Sequence, residues 1–153
     1  MDFKEAYAQF LREFGAGRPM VVSTSLHDRV TSRMLSVVLM DGKFYFQTDK
    51  TFRKYHQIKG NPNIALCIDN IQVEGRCEET GTPMENAAFC EVYRACFRGS
   101  FERYSPLENE RVFAVTPTFI ERWHYINGVP YIETFELENE IHTLTPYGRG
   151  GPK

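Results

Sequence analysis

Cationic and hydroxyl side chains gather in two short stretches of the sequence, and together they could bind a phosphate group. Arg33 lies in a predicted strand, whereas Arg53 and Lys54 fall in the first turn of a predicted helix. Helix dipoles place partial positive charge at that end, so cations there are disfavoured by roughly a few tenths of a kcal/mol unless an anion binds. Thr48 and Thr51 add hydroxyl donors nearby. The alternative is a solvated basic turn.

Arg33 stands out within its own strand. Side chains alternate along a strand, so Arg33 shares a face with aliphatic residues at 35, 37 and 39. A guanidinium group on such a face is costly to bury without a partner. The pattern indicates either a structural ion pair or the edge of an anion site, which Arg33 reaches if its strand pairs with the next one.

The cysteines and histidines do not form a recognisable metal or thiol site. Four cysteines, at positions 67, 77, 90 and 96, have no C-x-x-C spacing, and the four histidines are scattered singly. No zinc site or catalytic thiol follows from such a pattern. We predict reduced thiols that are buried or half-buried.

The elements that must position these residues are mostly strands joined by tight hairpins. Asp41-Gly42 and Asn127-Gly128 are typical two-residue hairpin turns. Periodicity predicts an amphipathic helix within residues 1–18, capped by Asp2. The predicted strands cover residues 20–26, 30–40, 43–48, 64–69, 72–79, 112–126 with a break at Pro117, and 131–137.

Three further helices are predicted between the strands. One covers residues 52–60, and a capping box at Thr82 opens another that runs to about residue 98. Ser105 repeats the capping signal for a shorter helix, and residues 139–153 form a C-terminal tail that looks flexible.

Hairpins in series favour a mainly β fold with flanking helices (α+β), built as a closed or nearly closed antiparallel barrel. Closure lets the edge strands pair with each other, so their backbone groups are not left exposed and unpaired. A doubly wound parallel sheet would need regular strand–helix alternation and a glycine-rich first turn, and neither is present. The length of 153 residues is that of a single domain, residues 1–153.

Composition excludes some classes of partner. The net charge is −2, which argues against a surface that binds nucleic acid. No apolar run approaches the roughly 18 residues of a membrane span, and the first residues lack the apolar stretch of a signal peptide. We therefore expect neither nucleic acid nor membrane as a partner, and a cytoplasmic protein.

Four segments follow one another in an informative order. They are Arg33-Met34-Leu35-Ser36-Val37, Phe44-Tyr45-Phe46-Gln47-Thr48 after the first hairpin turn, Arg53-Lys54-Tyr55-His56-Gln57-Ile58 leading to Asn61-Pro62, and Gln72-Val73-Glu74-Gly75 after the strand at 64–67. In this order the chain resembles the pyridoxamine-phosphate-oxidase-like family of FMN-binding split barrels, over about residues 19–126.

The resemblance implies a homodimer with FMN in each of two clefts between the subunits. Arg33, Arg53 and Lys54 would hold the FMN phosphate, and Gln72 would reach the flavin from the partner subunit. Trp123 would border the flavin; the alternative is that it packs in the core or at an interface. The remaining implied contacts are Met34, Leu35, Ser36, Gln47, Thr48 and Thr51.

Two departures from the family pattern limit what the resemblance implies. Phe52 stands where the family has a phosphate-binding serine, so Thr51 would have to replace it. Val38 stands where the true oxidases carry a lysine that meets the substrate phosphate. Oxidation of pyridoxamine phosphate is therefore not expected. The expectation is an FMN-dependent oxidoreductase acting on a small molecule, of nitroaromatic or quinone type.

No catalytic residue is assigned from the sequence. Tyr45, His56 and His124 are candidates for proton transfer, with plain structural roles as the alternative. Two other functions stay open: a flavin- or haem-binding module without turnover, with His27 as the nearest haem ligand, and a structural dimer that has lost its cofactor.

Overall fold

Antiparallel hairpins build the whole sheet, as the turn signals predicted. The structure is a computed structural model that describes residues 1–148. The eight strands are β1 Gly17–Leu26, β2 Arg29–Met40, β3 Lys43–Asp49, β4 Asn63–Ile68, β5 Ile71–Gly81, β6 Glu110–Ile126, β7 Val129–Glu136 and β8 Ile141–Pro146. The helices are α1 Phe3–Phe14, α2 Arg53–Gly60, a short 3-10 helix Pro83–Glu85, α3 Ala87–Cys96 and α4 Arg98–Tyr104.

Six strands close into a barrel. The strand order is β3-β2-β1-β4-β5-β6-β7-β8, and β3 also pairs with β6. Because β3 pairs with both β2 and β6, the sheet from β3 to β6 closes on itself, although β2 pairs with β3 only over residues 38–40; β7 and β8 extend the second half of β6. The predicted antiparallel barrel is confirmed, and both glycine-containing hairpin turns lie where the sequence placed them.

The core lies inside the barrel and under α1. Asp2 caps α1 by accepting a hydrogen bond from the backbone of Glu5, as predicted. The helix buries one face against a large apolar cluster that includes Phe10, Phe14, Met20, Val22, Phe44, Phe46, Phe113 and Phe135. A second cluster lies outside the barrel wall, where α3 packs Phe89 and Tyr93 onto Val38 and Val112. This packing fixes α3 and α4 beside β2 and β3.

Pro117 does not break β6, contrary to the sequence prediction. The strand runs continuously from Glu110 to Ile126. Against β5, the register shifts so that Gly75 faces Pro117 while Glu74 faces Phe119. A bulge at this point tolerates proline, because the strand there need not supply a ladder N–H.

The helical segment after β5 also differs from the prediction. The capping box at Thr82 exists, but it opens only the short 3-10 helix. The backbone of Phe97, at φ −138° and ψ 60°, then separates α3 from α4. No helix follows Ser105, because residues 105–109 form turns.

The predicted C-terminal tail contains a strand that the sequence analysis missed. Residues 141–146 form β8 against β7. The remainder of that tail, residues 149–153, lies outside the described residues.

Candidate functional site

Arg33 projects from β2 into a neutral polar cage. Its Nη1 donates to the carbonyl of Val22 at 3.2 Å and to Thr24 Oγ1 at 2.9 Å. Its Nη2 donates to Thr31 Oγ1 at 2.7 Å and to Gln57 Oε1 at 3.2 Å. No carboxylate within residues 1–148 pairs with Arg33. The structural ion pair that was one expectation for Arg33 is therefore not found within these residues, and no carboxylate there compensates the Arg33 charge.

Two more cations lie close to Arg33 at the start of α2. This helix begins at Arg53, its first turn holds no acidic residue, and the preceding Phe52 makes no side-chain capping bond. Burial lowers the pKa of Arg33, and the charge of Arg53 lowers it further. Burial also lowers the pKa of Lys54, and Arg33 adds to that shift. Arg33 is thus repelled by both Arg53 and Lys54, which is the electrostatic condition that a bound anion relieves.

A cavity of about 460 Å³ opens beside Lys54. Its size lies within the range of small-molecule sites. The walls come from β2, β3, the start of α2, the α3–α4 pair and the start of β6. Six of the predicted contact residues line it, namely Met34, Leu35, Ser36, Gln47, Thr48 and Lys54. The structure therefore brings this part of the predicted site together.

One hydroxyl group lining this cavity has no partner. Thr48 Oγ1 is buried and makes no hydrogen bond to any described residue. The neighbouring Gln47 differs, because its Oε1 accepts a bond from Ser105 Oγ at 2.7 Å. A buried polar group without a partner costs about 1–3 kcal/mol. A polar ligand in the cavity would remove that penalty.

Two carboxylates also line the cavity, and neither was predicted. Asp49 on β3 and Glu110 on β6 are directly opposed across the two strands. Asp49 Oδ1 accepts bonds from the backbone N and Oγ1 of Thr51, at 2.7 Å and 2.6 Å, and these bonds lower the pKa of Asp49. Burial and the Asp49 charge raise the pKa of Glu110 to about 7, although Lys54 acts in the opposite direction.

Thr51 and Arg53 face a neighbouring groove instead of the cavity. This groove, of about 590 Å³, is also lined by His27, Arg29 and His56. The Thr51 hydroxyl already donates to Asp49. It is thus not a free donor for a phosphate, and the expectation that it replaces the family serine requires this bond to open.

Gln72 and Trp123 lie apart from the cavity. They share a depression of about 150 Å³ on the β5–β6 surface. The Trp123 side chain is 40% exposed, so it is not part of the core. Its ring meets Tyr147 edge to face, with centroids 5.2 Å apart. Within one chain the structure therefore does not join these two residues to the rest of the predicted site.

None of the three candidate proton-transfer residues lines the cavity. His56 faces the groove, Tyr45 packs against the apolar cluster under α3, and His124 lies partly buried on β6. His27, the predicted haem-ligand candidate, is exposed in the β1–β2 turn at φ 51°.

The sequence analysis missed the residues that hold Arg33. Gln57 Oε1 accepts from Thr24 at 2.7 Å and from Thr31 at 2.9 Å, in addition to Arg33. One local signal was available, because Thr31 lies two residues before Arg33 and so shares its face of β2. The positions of Thr24 and Gln57 depend on strand pairing and helix packing.

Other chemistry is limited within the described residues. All four cysteines are free, as predicted, but Cys67 is exposed, which contradicts the prediction of buried or half-buried thiols; burial raises the pKa of Cys77 to about 12. No group of three or more His, Cys, Asp or Glu side chains in residues 1–148 could hold a metal ion. No helix in this part of the chain is long and apolar enough to cross a membrane.

Comparison with known proteins points to one family. A family model described as pyridoxamine 5'-phosphate oxidase matches residues 3–124. No curated protein matches the chain in sequence.

Solved structures with the same fold are distant in sequence. An FMN-binding protein of Nostoc punctiforme, described as related to pyridoxamine 5'-phosphate oxidase, has a TM-score of 0.61 at 15% identity, covering 97% of this chain and 98% of its own. The General Stress Protein 26 of Bacillus anthracis has a TM-score of 0.59 at 22% identity, and the match covers 78% of this chain and 92% of that protein. HutZ, the haem storage protein of Vibrio cholerae, has a TM-score of 0.60 at 12% identity, and the match covers 76% of this chain and 91% of that protein.

Proposed function

The chain belongs to the pyridoxamine 5'-phosphate oxidase family, and we propose that it binds FMN, with the phosphate beside Arg33, Arg53 and Lys54. The observation that carries the proposal is that Arg53 and Lys54 stand at the uncapped, acid-free start of α2, while Arg33 has neutral partners only. Lys54 lines a cavity whose Thr48 hydroxyl lacks a partner, and Arg53 lines the neighbouring groove. A ligand with both a phosphate and several hydroxyl groups fits this combination.

The charge of the site suits a phosphate. A phosphate monoester carries a charge of about −1.5 to −2 at pH 7. Arg33 has neutral partners only, so no carboxylate offsets its charge; because its four Nη hydrogens already donate to those partners, it would attract a phosphate through its charge or exchange one of these bonds. The open start of α2 adds the partial charge of its dipole.

Each part of the cavity would have a role in holding FMN. The cations would bind the phosphate, the Thr48 hydroxyl would bond the ribityl chain, and residues 34–36 of β2 with Gln47 of β3 would lie along the rest of the molecule. Bound FMN supplies the redox chemistry of the isoalloxazine ring, and the protein supplies orientation, electrostatics and access. We propose an FMN-dependent oxidoreductase that acts on a small molecule.

Pyridoxamine phosphate is not the proposed substrate. Val38 occupies the position of the substrate-binding lysine of the true oxidases. Its side chain is fully buried between the barrel and α3, against Phe89, Tyr93 and Val112. A valine in that environment cannot bind a second phosphate. The proposed substrate is therefore a small molecule without a phosphate group, of nitroaromatic or quinone type.

We also propose that the protein acts as a homodimer. The outer face of β2 exposes Val30 and Met34, at 68% and 61%. Val21 of β1 lies opposite Met34, and Cys67 of β4 lies opposite Val21, so the apolar surface continues across three strands. Large exposed apolar side chains on a flat sheet face favour association with a second copy. A second copy would also supply Gln72 or Trp123, which the single chain leaves apart from the cavity.

A titration with FMN tests the cofactor proposal. The protein should show the two-banded yellow flavin spectrum and bind FMN saturably with a stoichiometry of one per chain. In R33A/K54A, two positive charges beside the proposed phosphate position are lost, so the affinity should fall by about 3 kcal/mol or more, which is at least a hundredfold.

A matched double variant controls for loss of charge alone. K4A/R103A removes two cations from exposed positions, so it should bind FMN like the wild type. Equal affinity in all three proteins would contradict the proposed phosphate site. An intense Soret band on adding haem, without FMN binding, would instead favour a haem-binding module.

A further inference from the structure

Glu110 is a mostly buried residue whose carboxyl group opens onto the cavity and has no side-chain partner among the described residues. Its side chain is only 6% exposed, yet it makes no hydrogen bond or ion pair to any other residue in the range 1–148. It lines the proposed FMN cavity together with Asp49 and Lys54. A buried carboxyl group is usually paired or hydrogen-bonded, so its isolation beside a ligand cavity needs an explanation.

The groups around Glu110 come from every neighbouring element. Asp49 faces it from β3 and Lys54 from α2. Tyr93 of α3 and Tyr104 of α4 line the same cavity, and the charge of Glu110 acts on Tyr93. Asp49 stays ionised because two bonds from Thr51 stabilise its charge. Glu110 is thus the group in this set whose charge can change near neutral pH.

We propose that Glu110 takes up a proton when the phosphate dianion of FMN binds beside Lys54, and so sets the pH range over which the cofactor is held. The inference rests on the proposed FMN site. With Glu110 neutral, Lys54 can pair with the phosphate, and Asp49 is the one carboxylate that stays charged in the described cavity lining. With Glu110 ionised, a second negative charge faces the phosphate, which must compete with Glu110 for Lys54.

Proton uptake makes FMN affinity depend on pH in one direction. Burial and Asp49 raise the pKa of free Glu110 to about 7, and a bound dianion raises it further. Below pH 7 the proton is already present, so binding needs no uptake. Above pH 7 the dissociation constant should rise by up to about tenfold per pH unit, giving a weakening of about tenfold to fiftyfold between pH 7 and pH 9.

Two variants and two ligands separate Glu110 from other causes. Glu110→Gln should bind FMN with an affinity that changes less than about threefold over the same range. Glu108→Gln removes an exposed carboxylate two residues away and should keep the wild-type dependence. Riboflavin lacks the phosphate, so its binding to the wild type should not weaken in this way.

Calorimetry of FMN binding to the wild type counts the protons directly. Binding at pH 8, measured in buffers with different ionisation enthalpies, should take up close to one proton per FMN. At pH 5.5 Glu110 already holds its proton, so the uptake should be absent and the FMN phosphate should instead release part of a proton. FMN binding at pH 8 without uptake, or an unchanged pH dependence in Glu110→Gln, would overturn this inference alone. Failure of FMN to bind at any pH would overturn the cofactor proposal and this inference together.

Discussion

Replacing Thr48 by valine should change stability and FMN affinity in opposite directions. The two side chains have nearly the same shape, and Thr48 is 3% exposed on β3. Its Oγ1 is buried without a partner. In the cofactor-free protein, valine removes an unpaired hydroxyl, whose burial costs about 1–3 kcal/mol. We therefore expect Thr48→Val to raise the free energy of unfolding by about 1 kcal/mol.

The same change should weaken cofactor binding. If the hydroxyl finds its partner in FMN, the variant loses one hydrogen bond, worth about 1 kcal/mol or roughly fivefold in affinity. Urea unfolding of the FMN-free protein measures the first effect, and flavin fluorescence on titration measures the second.

Thr24→Val is the matched control for this pair of measurements. The Thr24 hydroxyl bonds both Gln57 and Arg33, so its loss should destabilise the FMN-free protein by about 1–3 kcal/mol. The reasoning is refuted if Thr48→Val destabilises the protein like the control and leaves FMN affinity unchanged, because the cavity would then have no need of a polar ligand at this position.

Three further outcomes follow from packing, charge and association. Gly75→Ala should lower the free energy of unfolding in urea by about 2 kcal/mol, because a Cβ there would lie 2.7 Å from the carbonyl oxygen of Thr116. In the control Gly99→Ala, the new Cβ meets no atom within 4 Å, so this variant should not be destabilised. Equal stability of both variants would contradict the packing. Without FMN, stability should fall as pH rises from 4.5 to 7, because folded Glu110 keeps a proton that the unfolded chain loses. Glu110→Gln should therefore be more stable at pH 8, by at most about 3 kcal/mol, and similar at pH 4; an equal gain at both pH values would refute this. Val30→Lys should convert the dimer into a monomer, because the lysine would bury a charge in each half of the proposed interface. The mass measured by light scattering should then fall from twice 17.8 kDa to 17.8 kDa. An unchanged dimer would place the interface elsewhere.

The barrel could be predicted from the sequence because its signals are local. Asp41-Gly42 and Asn127-Gly128 fix two hairpins, and each supplies the positive φ that such turns need. Capping residues likewise marked the start of α1. The bulge at Pro117 was missed because a proline tolerated by an irregular ladder has the same sequence signal as one that ends a strand. The strand β8 was missed because its residues are mostly exposed and depend on β7 for pairing.

The site could be predicted only in part, for a related reason. Met34 to Ser36 and Gln47 to Thr48 lie on adjacent segments of one hairpin, so their convergence follows from that hairpin. Glu110 reaches the cavity only because β3 pairs with β6, about 60 residues further along the chain. A carboxyl group beside Lys54 is also not suggested by the local pattern around that lysine. Long-range strand pairing therefore determines which charged side chains meet at the cavity, and local sequence motifs do not reveal this.

Phosphorus NMR of bound FMN tests the central claim most directly, because it observes the group that the cations are proposed to neutralise. Free phosphate monoesters have a second pKa near 6. Beside Arg33, Arg53 and Lys54 the bound phosphate should remain dianionic to about pH 5, since neighbouring cations favour the charged form. In R33A/K54A, any FMN still bound should titrate close to the free value. A wild-type phosphate resonance that titrates like free FMN would contradict the account.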